Sequence, residues 1–222
     1  MDPFIIALLI IAFIVAFAIG TNDETMSPAV GAGVFSVGLA VALGAVINLT
    51  GALFLGEGVS KKVGKGLSED PLSTEMIIAI LLSMAIWLVL VSFLGGIPIS
   101  TTQCVVGAVI GVVWWEAGID KIDYDKLFEI VIGWVISPII GFIGAALIYL
   151  IIQKARSYQL VQGYANYEKQ EQIAGYGLAI FLLWTALSRG GNDVANAVAP
   201  LMSDELAGKL EPQVALLAGG IG

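Results

Sequence analysis

The sequence predicts an all-α integral membrane protein: a multi-span helical bundle interrupted by broken or re-entrant helices. Three observations carry that prediction. Of the 222 residues, 58% are hydrophobic and only 13% are charged, against about 45–50% and about 25% in an ordinary soluble domain. Long uncharged apolar runs recur along the chain, several near the roughly 20 residues that a helix needs to cross a hydrocarbon core. Between them stand short polar segments built from Gly, Pro, Asn, Asp, Ser and Thr. Backbone facing lipid must satisfy its own hydrogen bonds, which favours helices, and the alternation expected of an outer-membrane barrel is absent.

Taken in order, the apolar runs are Pro3–Asn22, Ala29–Gly56, Met76–Ile97, Pro98–Trp115 and Ile130–Ile152, with a shorter one at Ile173–Ser188 and a last one beginning near Val214. Met1-Asp2-Pro3 offers no basic region and no small-residue cleavage site comes after it, so the first run is expected to be a span and not a cleaved signal. Glu57–Glu75, with Lys61, Lys62, Lys65, Glu69 and Asp70, is expected to be a flexible loop. Glu116–Lys126 is short and acidic behind Trp114 and Trp115, which suit an interface anchor. Gln153–Gln172 carries Lys154, Arg156 and Lys169 and is expected to be a polar cytoplasmic loop, with the N-terminus outside. Small residues four apart, Ala40 with Gly44 and Gly107 with Gly111, suggest close helix approach. Pro138 is expected to kink the span that holds it, and Glu129 to be a solvated charge at a helix end.

Charge and residue usage narrow the function classes. Ten Lys and Arg against 18 Asp and Glu leave a net charge of −8, the wrong sign for holding nucleic-acid phosphates. The chain has no His, which removes most zinc sites and every Ser–His or Cys–His nucleophile pair. Cys104 stands alone and forms no internal disulfide.

Two polar segments resemble each other. Gly20-Thr21-Asn22-Asp23-Glu24-Thr25-Met26-Ser27-Pro28 lies between apolar runs, and so does Gly190-Gly191-Asn192-Asp193-Val194-Ala195-Asn196-Ala197. Aligning Asp23 with Asp193 gives an offset of 193 − 23 = 170, which suggests two related halves. One Asn-Asp pair would serve equally well as a polar turn capping the next helix. Its recurrence in the same setting favours function, because an ionisable group at membrane depth is expensive and marks an ion or substrate path. Carboxylate and amide oxygens suit a small hard cation. Asn192 and Asn196, four apart, are expected on one helix face.

The third segment is Gly95-Gly96-Ile97-Pro98-Ile99-Ser100-Thr101-Thr102-Gln103-Cys104. Two Gly and a Pro break the preceding helix. Ser100 or Thr101 as N-cap would then begin a half-helix inside the membrane, its free N–H groups and positive dipole end available to an anion. Hydroxyls at 100, 101 and 102 add donors. Plain capping explains a lone Ser-Thr pair, but explains Ser-Thr-Thr-Gln after Gly-Gly-Ile-Pro less well. Broken helices in both halves point to a secondary-transporter site.

Gly191-Asn192-Asp193-Val194-Ala195-Asn196-Ala197 closely resembles the G-A-N-D-V-A-N-A signature of the Pit-type inorganic phosphate transporter family, and Pro98-Ile99-Ser100-Thr101-Thr102 resembles that family's P-x-S-T-T-H segment. The resemblance covers residues 15–202 in matching order. It implies a cation-coupled phosphate symporter working by alternating access, with inverted repeats and a midplane site. On that basis residues 1–152 form the first repeat (spans 3–22, 29–56, 76–97, re-entrant 98–115, 130–152). Residues 153–172 form a polar loop, and 173–222 begin a second repeat. The family carries a second S-T-T segment that this chain lacks, so 1–222 is expected to be the first part of a longer transporter that does not transport alone. Gln103 stands where the family has His, and Glu24, Thr25 and Met26 replace Val, Ala and Asn. Without that imidazole, Na⁺ coupling is favoured over H⁺.

The expected sodium ligands are Asn22, Asp23, Asn192, Asp193 and Asn196, with Glu24 a further candidate. The expected phosphate donors are Ser100, Thr101, Thr102 and Gln103, with Thr25 beside them. No Lys or Arg lies within the core of a long apolar run, and Arg189 is the only basic residue beside a motif. Helix N-termini, hydroxyls and bound cations are therefore expected to neutralise the anion. The implied partners are inorganic phosphate, sodium ions as the coupling ion with no organic cofactor, the bilayer of a plasma membrane, and the remaining half of the transporter. A homodimer is left open, and nucleic acid is excluded. Two rival classes are weaker. An intramembrane aspartyl protease would need Gly-x-Gly-Asp, which neither motif has. A non-transporting structural subunit leaves Ser100–Gln103 unexplained.

Overall fold

The computed structural model describes residues 2–22, 25–94, 99–160, 167–206 and 208–222; the side chains of residues 22, 64–66, 155–160 and 167–170 are not described. Asp23, Glu24 and the 95–98 break lie outside the described residues. Among the described residues there are nine α-helices: α1 (Pro3–Asn22), α2 (Ser27–Gly31), α3 (Val37–Gly66), α4 (Thr74–Phe93), α5 (Thr101–Glu116), α6 (Tyr124–Leu160), α7 (Tyr167–Arg189), α8 (Ala195–Val198) and α9 (Pro212–Ile221). A π-helical turn, Gly190–Val194, joins α7 to α8. Five segments among the described residues are long and apolar enough to cross a membrane: Pro3–Thr21, Val37–Val63, Thr74–Phe93, Tyr124–Lys154 and Glu171–Met202. At 16 residues, α5 is short for a span.

The helix boundaries arise from local chemistry. The Ser36, Ser73 and Ser100 hydroxyls accept from the N–H groups of Leu39, Met76 and Gln103, capping α3, α4 and α5. Pro28 occupies the first turn of α2, where its missing N–H costs nothing.

Two expected loops are shorter than their polarity suggested. The Glu57–Glu75 segment stays helical to Gly66, with Lys61 Nζ 2.6 Å from Glu57 Oε1 one turn back. In the expected 153–172 loop, α6 continues to Leu160 and α7 begins at Tyr167. The reason is the same in both. Lys, Gln, Arg and Glu are good helix formers, so polarity marks where a helix leaves the apolar layer and not where the helix ends. Pro138 likewise lies inside α6 without interrupting it.

Residues 1–123 and 179–222 form one compact unit, and Tyr124–Leu178 form a second. In the second unit no residue from Tyr124 to Lys154 is buried. Its Ile, Leu, Val and Phe side chains present the kind of surface that lipid covers. In the first unit α1 packs on α4 and α9, α4 on α5, and α3 on α9 and the π-turn. Its centre holds Leu8, Val15, Ile77, Ile80, Leu81, Met84, Leu88, Val105 and Val109. A smaller cluster joins Met26 to Ala40 and Ala186. At one end, residues 67–69 are tied to 121–123 by Glu69 N–H to Lys121 O (2.9 Å) and Asp123 N–H to Leu67 O (3.2 Å). Lys121 Nζ lies 2.7 Å from Asp70 Oδ2, and this hydrogen bond and charge hold the ammonium's pKa above its ordinary value.

The small-residue pairs divide. Gly44 is buried and a Cβ there would lie 3.3 Å from Met26, whereas Gly107 and Gly111 are exposed and a Cβ on either would meet nothing within 4 Å. The close approach expected at Gly107 and Gly111 is therefore absent. On α5 it is Val105, Val106, Val109 and Val113 that face the core.

Candidate ion and substrate site

The chain around Asn192–Asn196 is held by glycine. A Cβ on Gly190 would run into the backbone of Asn48, with Cα at 2.6 Å, and one on Gly51 would run into the backbone carbonyl of Leu187. Gly191 would likewise place a Cβ 2.7 Å from that of Leu55. Only residues without side chains let α3 pass this close to the π-turn.

The π-turn changes the register of α8 relative to α7. An i→i+5 turn is wider than an α turn, and such turns favour functional sites. Asn192 is exposed and Asn196 is fully buried, so the two stand in different surroundings although only four residues separate them. Nor is the motif unwound: its backbone stays helical through Val198.

This segment also meets the start of α5. Thr101, 6% exposed, donates its hydroxyl to Asp193 Oδ1 at 3.2 Å. Asn196 Nδ2 donates to Thr102 Oγ1 at 3.0 Å. As acceptor in that bond, Thr102 still has a proton to donate. Asn196 Oδ1 is buried and has no hydrogen-bond partner. A buried acceptor left unmade costs about 1–3 kcal/mol, and an amide oxygen in that condition is suited to a cation.

The remaining expected residues are placed differently. The Ser100 hydroxyl caps α5 by accepting from Gln103 N–H at 3.4 Å. The side chains of Ser100 and Gln103 are exposed. Arg189 Nη1 donates to Thr25 Oγ1 at 3.3 Å, which ties the first polar segment to the end of α7. Both line a cavity of about 210 Å³ together with Asn48, Asp193, Gly20 and Gly190. The Asn22 side chain, Asp23 and Glu24 lie outside the described residues.

A model of the phosphate transporter family matches residues 19–222. The chain belongs to the phosphate transporter family. A protein described as a phosphate permease of Pyrococcus horikoshii is 37% identical over 161 residues, which are 69% of this chain and 39% of that protein. The chloroplastic inorganic phosphate transporter 2-1 of Arabidopsis thaliana is 32% identical over 157 residues, 67% of this chain and 27% of that one. A solved structure titled "The sodium-dependent phosphate transporter" superposes with a TM-score of 0.73 at 22% identity, covering 98% of this chain and 73% of that chain. The chain thus spans about two fifths of the length of the prokaryotic relative. Membership in a transporter family sets the protease alternative aside and, with five apolar spans, makes this a multi-pass membrane protein.

Sequence reasoning missed Asn48 in this family member. Its signal was a polar side chain isolated in an apolar run. It also read the Gly190-Gly191 pair as part of a motif, without seeing that close backbone approach to α3 requires both.

Proposed function

We propose that this chain forms the cation-binding and part of the phosphate-binding machinery of a phosphate symporter of the plasma membrane, with Na⁺ favoured over H⁺ and alternating access between the two sides. The single observation that supports it best is Asn196, fully buried with an unpartnered Oδ1, one helical turn from the Asp193 carboxylate and hydrogen-bonded to Thr102.

In this reading Asp193 and Asn196 supply sodium oxygens, with Asn22, Asp23 and Asn192 as further candidates and Glu24 beside them. The bound cation offsets the anion's charge, so each substrate raises the affinity of the other. Thr101 orients the Asp193 carboxylate. Thr102 and the first-turn N–H groups of α5 present donors to phosphate, while Thr25 and Arg189 line the neighbouring cavity that Asp193 also borders. Ser100 acts as cap, and Gln103 is a weaker donor because it is exposed. The rest of the transporter, and a second copy if it is a homodimer, complete the pathway. The sodium-dependent neighbour supports the choice of ion.

The test is radiolabelled phosphate uptake into vesicles containing the complete transporter, under an inward Na⁺ gradient or an inward H⁺ gradient. Na⁺-driven accumulation that disappears in Asp193→Asn, with normal membrane insertion, is expected. Accumulation driven by H⁺ alone would overturn the ion assignment, and unchanged Na⁺ stimulation in Asp193→Asn would remove that residue from the site.

A further inference from the structure

Between Val37 and Gly56, α3 carries two polar side chains, Asn48 and Thr50. Thr50 satisfies its polarity locally, donating its hydroxyl to Val46 O at 2.7 Å. Ser83, Ser92, Ser137 and Thr185 do the same within their own helices. Among the described residues the Asn48 amide has no hydrogen-bond partner. A polar group left unpaired inside a membrane span is costly and marks a substrate or ion path.

Asn48 is half-buried and lines the cavity of about 210 Å³. Gly190 packs directly on its carbonyl and Cα, where an added Cβ would run into both. With the backbone covered, the part of Asn48 left open is its amide. Thr25, Arg189 and Asp193 line the same cavity. Because Thr25 Oγ1 accepts from Arg189, its own proton remains for a further partner. The polar side chains of this wall are thus a guanidinium, a hydroxyl and an amide, which can all donate, and a single carboxylate. A cation on Asp193 cancels that carboxylate, and of these lining groups only the Arg189 charge then remains. Such a cavity suits an oxyanion.

We infer that Asn48 is a phosphate-binding residue, its Nδ2 donating to an oxyanion held beside Arg189 and Thr25 once a cation occupies Asp193. The inference rests on the transport reading above and adds a contact on α3 to those on α5. It also gives the coupling an order. The carboxylate repels the anion until the cation has arrived, so the cation binds first.

The experiment measures phosphate uptake by vesicles containing the complete transporter, as Asn48→Asp and Asn48→Ala. Two quantities are read: KM for phosphate at saturating Na⁺, and the Na⁺ concentration giving half-maximal uptake. Asn48→Asp keeps the shape but exchanges an N–H donor for a negative charge. It should raise the phosphate KM about tenfold or more, with the Na⁺ requirement unchanged and membrane insertion retained. Asn48→Ala removes the donor without adding charge and should raise KM less; it carries the test should the acid variant fail to insert. A wild-type phosphate KM in Asn48→Asp or in Asn48→Ala would overturn the inference. So would a shifted Na⁺ requirement at unchanged phosphate KM, which would make the amide a cation ligand. Wild-type vesicles that accumulate no phosphate would remove the transport reading and this inference with it, a result distinct from uptake that the variants leave untouched.

Discussion

The segment from Gly190 to Asn196 is approached from two sides by opposite means. On the α3 side, Gly51 and Gly190 bring two backbones together with no side chain of their own between them, and Gly191 packs against the Leu55 side chain. On the α5 side, Thr101 and Thr102 reach Asp193 and Asn196 through hydroxyls. The first contact is steric and has almost no tolerance, because packed interiors do not yield to an added methyl. The second is polar and adjustable, because a hydroxyl can rotate between donor and acceptor roles. Together they hold the candidate site rigidly against α3 while leaving it polar partners on α5.

The largest expected effect comes from breaking the steric side. Gly190→Val places carbon against the Asn48 backbone, and overpacking of this kind costs about 1–3 kcal/mol or more. We expect loss of the monodisperse peak in size-exclusion chromatography and a sharp fall in Tm. Gly219→Ala, whose new Cβ meets only Val194 and Val198 side-chain methyls at 3.0 and 2.8 Å, should fall clearly less.

The polar side should break function without breaking the fold. Thr102→Val, nearly isosteric, removes the acceptor of Asn196 and a donor to the anion. Phosphate affinity of the complete transporter should drop about tenfold or more, since hydrogen bonds to charged groups are worth about 1.5–3 kcal/mol, with membrane insertion retained and a modest fall in Tm because the buried Asn196 amide loses its acceptor. Wild-type affinity in both Thr101→Val and Thr102→Val would reduce these hydroxyls to local structure. Thr101→Val leaves the Asp193 carboxylate without that donor. Its effect should be a severalfold rise in the Na⁺ concentration giving half-maximal uptake, larger than its effect on phosphate affinity at saturating Na⁺.

The smallest effect sharpens the contrast between glycines. Gly107 shows the same small-residue spacing as the packed positions, yet faces open space. Gly107→Ala should therefore leave uptake intact and stabilise α5 by up to about 1 kcal/mol through helix propensity, seen as a slight rise in Tm.

That contrast also measures how far sequence reasoning reaches. Hydropathy located α1 and α4 within a few residues, because exclusion of charge from lipid is a property of each segment alone. The α5 cap was legible as Ser100 or Thr101 because a cap bond spans three residues, and Ser100 fills it. The family resemblance was legible in Gly191–Ala197 and Pro98–Thr102, and the family model matches residues 19–222.

Only the tertiary structure decided which of these residues meet. Thr101 and Asp193 are 92 residues apart, and Thr102 and Asn196 are 94 apart. Their pairing depends on how α5 meets the π-turn. Asn192 is exposed and Asn196 is fully buried although only four residues separate them. Whether a glycine is a contact or a gap, as Gly51 and Gly107 show, is settled by the neighbouring helix. Membrane class and helix ends arise from interactions within one segment. The site arises from crossings between segments, which no local pattern encodes.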